Sequence, residues 1–292
     1  MRKPIASDRF YKGDHEELKE QVESFLSNKK KSNAKIAIVP HAGYIYGGKC
    51  MGETYSKLYG DCNTIILIGP NHANKDPTVN LSLQSFLTPL GKINIDLDIA
   101  THILSQAKIF GLSAEENEHA HEAEHSIEVQ LPFIQTLLPN TKIVPILIGN
   151  LSFEEALKLS RIIYYASRNK NIKIIISSDF SHYGEIYDFT PFTENIKENL
   201  HNLDLKAIEF ILDSESKSFY DYAKENTTIC NIAGIVIAIE LAKLFSCPKI
   251  EKTAFTSSAD FSEDYSASVN YCGIIFKPDS QSLGHPSGHS EN

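Results

Sequence analysis

The chain has 292 residues, 42% of them hydrophobic, which is ample for a packed core and places it among globular sequences. Its 28 basic and 37 acidic residues leave a net charge of −9, which excludes the basic footprint of a nucleic-acid partner and argues against an anionic membrane surface. No apolar run reaches the ~20 residues of a membrane span, the opening MRKPIASDRFYKGDHEE lacks a signal peptide's apolar middle, and five scattered cysteines without a CxxC pair fit reduced thiols, so the expected setting is cytoplasmic.

Helical and strand patterns alternate through most of the length, which predicts an α/β fold with a mainly parallel sheet and helices on both faces. An opening helix is expected over residues 15–29, ending in the Lys29-Lys30-Lys31 run. A strand over 35–39, a helix over 48–59 and a strand over 64–68 follow. Residues 79–83 form a further strand, 96–110 a helix and 113–124 a polar loop. A helix beginning near Glu124 continues over 131–138, with Pro132 in its first turns, where a missing N–H is tolerated. Strand 142–148, helix 153–168 and strand 172–178 repeat the alternation. Helices are expected over 193–212 and 218–224, then a strongly apolar, buried one over 231–245. Strands 249–256 and 266–276 have the length of an antiparallel pair at the sheet's edge. With no internal repeat and no linker, residues 1–278 are expected to form a single domain, and 279–292 a disordered tail.

Parallel sheets gather their chemistry at the carboxyl ends of strands. His41 follows Ile36-Ala37-Ile38-Val39-Pro40, and His72 follows Ile65 to Ile68 and Gly69-Pro70-Asn71. Neutral imidazole is the commonest protein metal ligand. A single histidine in such a place usually caps a loop, but two at matching offsets make ligation an even reading. Asp179 and His182 lie three apart in SSDFSHYG after strand 172–178. They are candidates for an acid–base pair or for orienting a metal-bound water, with Phe180 and Tyr183 as pocket walls. The alternative is a turn in which Asp179 caps backbone N–H groups. Cys230 stands just before the apolar helix, with Asn231 as its N-cap. A helix N-terminus favours thiolate, although free cysteine is more often a small buried hydrophobe.

His125 and Glu128, three apart in EHSIEVQLPF, share one face of a helix start and would bind substrate or support the site. Upstream, Glu115, Glu116, Glu118, His119, His121 and Glu122 read as a solvated loop rather than a chelating cluster. Gly43-Tyr44-Ile45-Tyr46-Gly47-Gly48-Lys49 matches the spacing of a phosphate-binding loop. Cys50 stands where that loop needs a hydroxyl for Mg²⁺, three bulky residues crowd it, and His41 and His72 would have no role. This is the minor reading.

Taken together, PHAGYIYGG (40–48), GPNH (69–72), EHSIEVQLPF (124–133), SSDFSHYG (177–184) and the TIC segment (228–230) resemble the MEMO family, whose bacterial and archaeal members are called AmmeMemoRadiSam system protein B. The resemblance implies an α/β/α sandwich with a mainly parallel central sheet and an antiparallel edge, similar to class III extradiol dioxygenases. Those enzymes hold non-haem Fe(II) with two histidines and a glutamate. Carried over by motif, His41, His72 and Cys230 would be the metal ligands. Asp179 and His182 would line the same pocket, with His182 as acid–base or O₂-proximal residue and His125 nearby. The implied cofactor is a mononuclear metal ion, iron(II) first, with copper or zinc as alternatives. Cys230 departs from the dioxygenase carboxylate, and thiolate leans toward copper(I) or zinc while still accepting iron. The family name also implies AMMECR1-like and radical SAM proteins as partners in one system.

Three functions stay open on the sequence. The first is a dioxygenase-like oxidoreductase acting on a small molecule or modified residue. The second is a zinc-dependent hydrolase or lyase on the same ligands. The third is a non-catalytic protein that binds a peptide or partner in the crevice, for which Tyr44, Tyr46 and Tyr183 would supply an exposed aromatic rim.

Overall fold

The most apolar runs of the sequence become the middle of one sheet. A computed structural model describes residues 1–27 and 31–279; the end of the first expected helix (28–30) and all but Asp279 of the expected tail lie outside the described residues. The strands are β1 (Ile36–Val39), β2 (Thr64–Pro70), β3 (Val79–Leu81), β4 (Phe86–Thr88), β5 (Gly91–Ile93) and β6 (Ala114–Glu116). They continue with β7 (Lys142–Ile148), β8 (Ile172–Ser177), β9 (His182–Tyr183), β10 (Lys249–Ser257) and β11 (Ser268–Lys277). The sheet runs β10-β11-β1-β8-β2-β7-β3-β6, with β9 paired to β11 and β4–β5 a separate hairpin. Its middle four strands are parallel. β11 and β10 add an antiparallel edge, and β3 turns antiparallel on the other side. Every residue of β1, β2 and β8 is buried, which requires helices over both faces.

The helices are α1 (His15–Phe25), α2 (Tyr44–Leu58), α3 (Leu97–Ile109), α4 (Glu118–Glu122), α5 (Leu131–Leu137) and α6 (Phe153–Ser167). They end with α7 (Ile196–Leu212), α8 (Ser216–Asn226), α9 (Ile232–Leu244) and α10 (Ala259–Ser262). One group, α1, α2 and α5, packs together, with α2 lying on β1, β10 and β11. The other, α3, α6, α8 and α9, forms a chain of contacts, with α9 lying on β1, β8 and β2. This is a mixed parallel and antiparallel α/β fold.

α2 begins at Tyr44, four residues before its expected start, and its glycines explain the difference. A Cβ on Gly48 would come 2.5 Å from the Phe25 ring, and one on Gly52 would come 2.2 Å from the Phe25 carbonyl oxygen. The glycines let α1 and α2 approach closely; they do not open a loop. The phosphate-loop reading fails with them, because residues 44–49 are helical and the Tyr44 ring is wholly buried. The expected polar loop over 113–124 is a strand and a short helix. There His121 is buried, and Glu118 accepts from the backbone of Leu83 and Gln84. Glu115, Glu116, Glu122 and His119 stay exposed, while Glu124 at its end is buried.

Candidate metal centre

β8 lies between β1 and β2, so the residues leaving these three strands emerge side by side. His41 follows β1, Asp179 follows β8 and His72 follows β2. α9 lies across the same three strands, and its N-cap Asn231 ties it to them. The Asn231 side chain accepts from the Gly234 amide and donates to the Ser177 carbonyl at 3.0 Å. Cys230, the residue before this cap, is thereby brought to the two histidines. Its Sγ lies 3.4 Å from His41 Nε2. One ligand atom from each of His41, His72 and Cys230 falls within 4.8 Å of the others.

The hydrogen bonds decide which nitrogens face inward. Ser177 Oγ gives its only proton to the Ser126 carbonyl at 2.7 Å and accepts from Gln130 Nε2 at 3.0 Å. His41 Nδ1, 3.0 Å away, must therefore be the donor to Ser177, which leaves the lone pair on Nε2 beside Cys230. His72 Nδ1 donates to the Glu124 carboxylate at 2.9 Å, which likewise frees its Nε2. The His72 amide donates to the other Glu124 oxygen at 2.8 Å, and the Ser126 amide donates to the first. Gly69 makes room for this arrangement, since a Cβ there would come 2.5 Å from Ser126 Oγ. A carboxylate behind a histidine is the usual device for orienting and strengthening a metal-binding imidazole.

Electrostatics favour a neutral imidazole at His41 and a neutral thiol at Cys230, while Glu124 draws His72 the other way. Burial, helped by the neighbouring His72 and His125, holds the His41 proton affinity far below the histidine norm. Burial also lowers His72, but the hydrogen bond and charge of Glu124 outweigh it, and the net shift is upward. Burial works against Glu124 ionising, yet the His72 hydrogen bond and charge and the backbone amides keep it far below the carboxylate range. Cys230 reverses the expectation of a thiolate favoured by its helix end. Burial, then the charge of Asp179, pushes its thiol upward, so a cation is needed to draw off the proton. These donors suit a metal, because they converge, carry fixed tautomers and lack a positive partner.

The acid–base candidates are placed differently from one another. Asp179 is buried, accepts the His41 amide at 2.8 Å, and has its carboxyl pushed up by burial. No hydrogen bond joins Asp179 to His182 among the described residues. His182 Nδ1 donates to the Thr228 carbonyl at 3.3 Å, which leaves Nε2 to exchange protons. Burial lowers its proton affinity, partly offset by Asp179. His125 stacks on His72 at 5.0 Å and meets the Phe10 ring at a tilt at 4.4 Å, with Nδ1 3.4 Å from Glu124. It also forms a second grouping with His72 and Glu124, but there the atoms already satisfy one another. Glu128 diverges from His125. It is wholly buried against Arg2 at 2.8 Å, the Ile5 and Ala6 amides and the Tyr11 hydroxyl, pinning residues 2–11.

His72, His182 and Cys230 line one cavity of about 670 Å³ with Asn71, Lys75 and Lys224. Phe180 and Tyr183 do not wall it: the first is in the core and the second donates to the Phe192 carbonyl. The aromatic rim does not form either, since Tyr44 and Tyr183 are buried and only Tyr46 is exposed. Sequence reasoning missed Glu124, Ser177, Gln130 and both cavity lysines. No local signal separated Glu124 from the carboxylates that precede it.

The fold and the His–His–Cys cluster define an α/β protein with a candidate metal site. The Memo-like protein family model matches residues 2–275, and the chain belongs to the MEMO family. A MEMO1 family protein of Thermococcus kodakarensis is 36% identical over 296 residues, covering 95% of this chain and 99% of its own. That of Aquifex aeolicus is 32% identical, covering 94% and 99%. Among solved structures, an uncharacterized protein from Escherichia coli K12 aligns at TM-score 0.48 and 9% identity, covering 82% of this chain and 99% of its own. No helix of the described residues is long and apolar enough to cross a membrane.

Proposed function

We propose that the chain is a mononuclear non-haem metal oxidoreductase of the cytoplasm, iron first and copper second, acting on a small molecule or modified residue. The observation that carries this reading is the convergence of His41, His72 and Cys230 on one point beside a cavity. His41 Nε2, His72 Nε2 and the Cys230 thiolate would hold the ion, leaving positions open toward the cavity. When bound, the metal would supply electron transfer to dioxygen and polarise the substrate, in the manner of the class III extradiol dioxygenases that the family resembles. Ser177 and Glu124 keep the two imidazoles in register. Ile148, Leu151, Ile229 and Ile232 line the cavity and limit its water. His182 takes or returns a proton at Nε2, with Asp179 and His125 setting the field behind the ligands. AMMECR1-like and radical SAM proteins would act in the same system.

Metal analysis of untagged protein purified anaerobically tests this. About one iron or copper per chain is expected, falling sharply in Cys230→Ser. Stoichiometric zinc would transfer the site to a hydrolase or lyase, with His182 as base for a metal-bound water. No bound metal would overturn both.

A further inference from the structure

The charges around the cavity do not match those of the molecule. The chain carries 37 acidic residues against 28 basic ones. Among the described residues, however, no aspartate or glutamate lines the cavity that holds His72, His182 and Cys230, while Lys75 and Lys224 both do. Neither lysine forms an ion pair among the described residues, and both are exposed at the cavity wall. Lys224 lies over the Tyr220 ring at 5.6 Å, and Tyr220 is itself part of the wall, so this ammonium is steadied without being neutralised. Ile232 and Ala233, the first two residues of α9, line the wall as well. A helix start adds positive potential to that side. Between these groups run apolar surfaces from Ile148, Leu151 and Ile229.

We propose that this cavity binds a small organic anion with an apolar body, its carboxylate or phosphate held by Lys75 and Lys224 and its other end facing His72 and Cys230. The inference rests on the metal reading only for which end of the ligand reacts. Unpaired cations in a concave, partly apolar site attract and orient an anion, whereas a neutral isostere gains only the apolar contact. The buried carboxylates Glu124 and Asp179 do not oppose this, because each is occupied with backbone or imidazole donors behind the wall.

Calorimetric titration of the full chain, metal-free and metal-loaded, with benzoate, benzamide and inorganic phosphate is the test. Benzoate is expected to bind at least about tenfold more tightly than benzamide, with an affinity that falls as salt rises. Lys75→Gln with Lys224→Gln should remove that preference while circular dichroism and metal content stay at wild-type levels. Tighter phosphate than benzoate would assign the head group to a phosphate ester and support the anion site equally. Equal affinity for benzoate and benzamide, no saturable binding of either anion, or an unchanged preference in the double variant would overturn it. Lysine-dependent benzoate binding by protein that takes up no metal would keep this site and sink the metal reading.

Discussion

Glu124 and Ser177 do the same work for the two histidines by different means. Ser177 accepts from His41 as a neutral hydroxyl, whereas Glu124 accepts from His72 as a carboxylate and grips its backbone too. The charged partner raises the imidazole's basicity and should matter more for affinity. Glu124→Gln keeps the shape and removes the charge. Its metal affinity, measured by chelator competition, should fall about 10- to 100-fold without loss of fold. Unchanged affinity would show that Glu124 serves only the loop. That His41, His72 and Cys230 come together was expected from the family resemblance; local pattern alone left the two histidines an even reading and Cys230 a buried thiol. Glu124 was not legible, because it follows a run of carboxylates whose other members are mostly in water. Only the turn carrying it back against the His72 amide singles it out.

At the level of elements, α9 is the piece that assembles the site. Its expected limits were within one residue of those observed, since an Asn cap before a long, mostly apolar run leaves little choice. Asn231 also donates to the carbonyls of Ser177 and Ile68, so one side chain fixes α9 against β8 and β2. Asn231→Ala loses a cap and leaves buried carbonyls unsatisfied. Urea unfolding should show a loss of about 2 kcal/mol or more, and metal binding should weaken because Cys230 loses its anchor. A loss no greater than that of an exposed cap would mean that the carbonyl contacts add nothing. By contrast, the start of α2 was not legible. Glycines mark loops locally, and only the neighbouring Phe25 shows that these serve close helix packing. β7 was read to its ends, whereas the β4–β5 hairpin and the short β9 escaped, being too brief to show a period.

For the molecule as a whole, the alternation of strands and helices foretold the parallel centre and the antiparallel edge. It gave no view of ties between distant segments. One of these is Asp204 on α7, fully buried, which accepts from Ser181 Oγ at 2.6 Å and from Asn270 Nδ2 at 2.8 Å, joining α7 to the turn after β8 and to β11. Burial outweighs these hydrogen bonds and raises its carboxyl from 3.8 to about 6. The folded state therefore holds this proton more tightly than the unfolded chain does. Ionisation begins to cost stability as pH rises through 3.8, and the cost is complete above about 6. The melting temperature of Asp204→Asn relative to the parent should rise across that window and then level off. A constant difference would mean that Asp204 does not titrate there.

The strand order has a consequence for synthesis. β1 precedes every other strand in the chain, yet its two neighbours are β8 and β11. While the ribosome works, Ile36 to Val39 emerge with both edges open, and one edge must wait until residues 268–277 have been made. Such long-range closure is slow, and unpaired apolar edges attract one another. The nascent chain should therefore depend on chaperones until its last strand arrives, and any ribosomal stall before that strand would leave a sticky fragment rather than a partial protein.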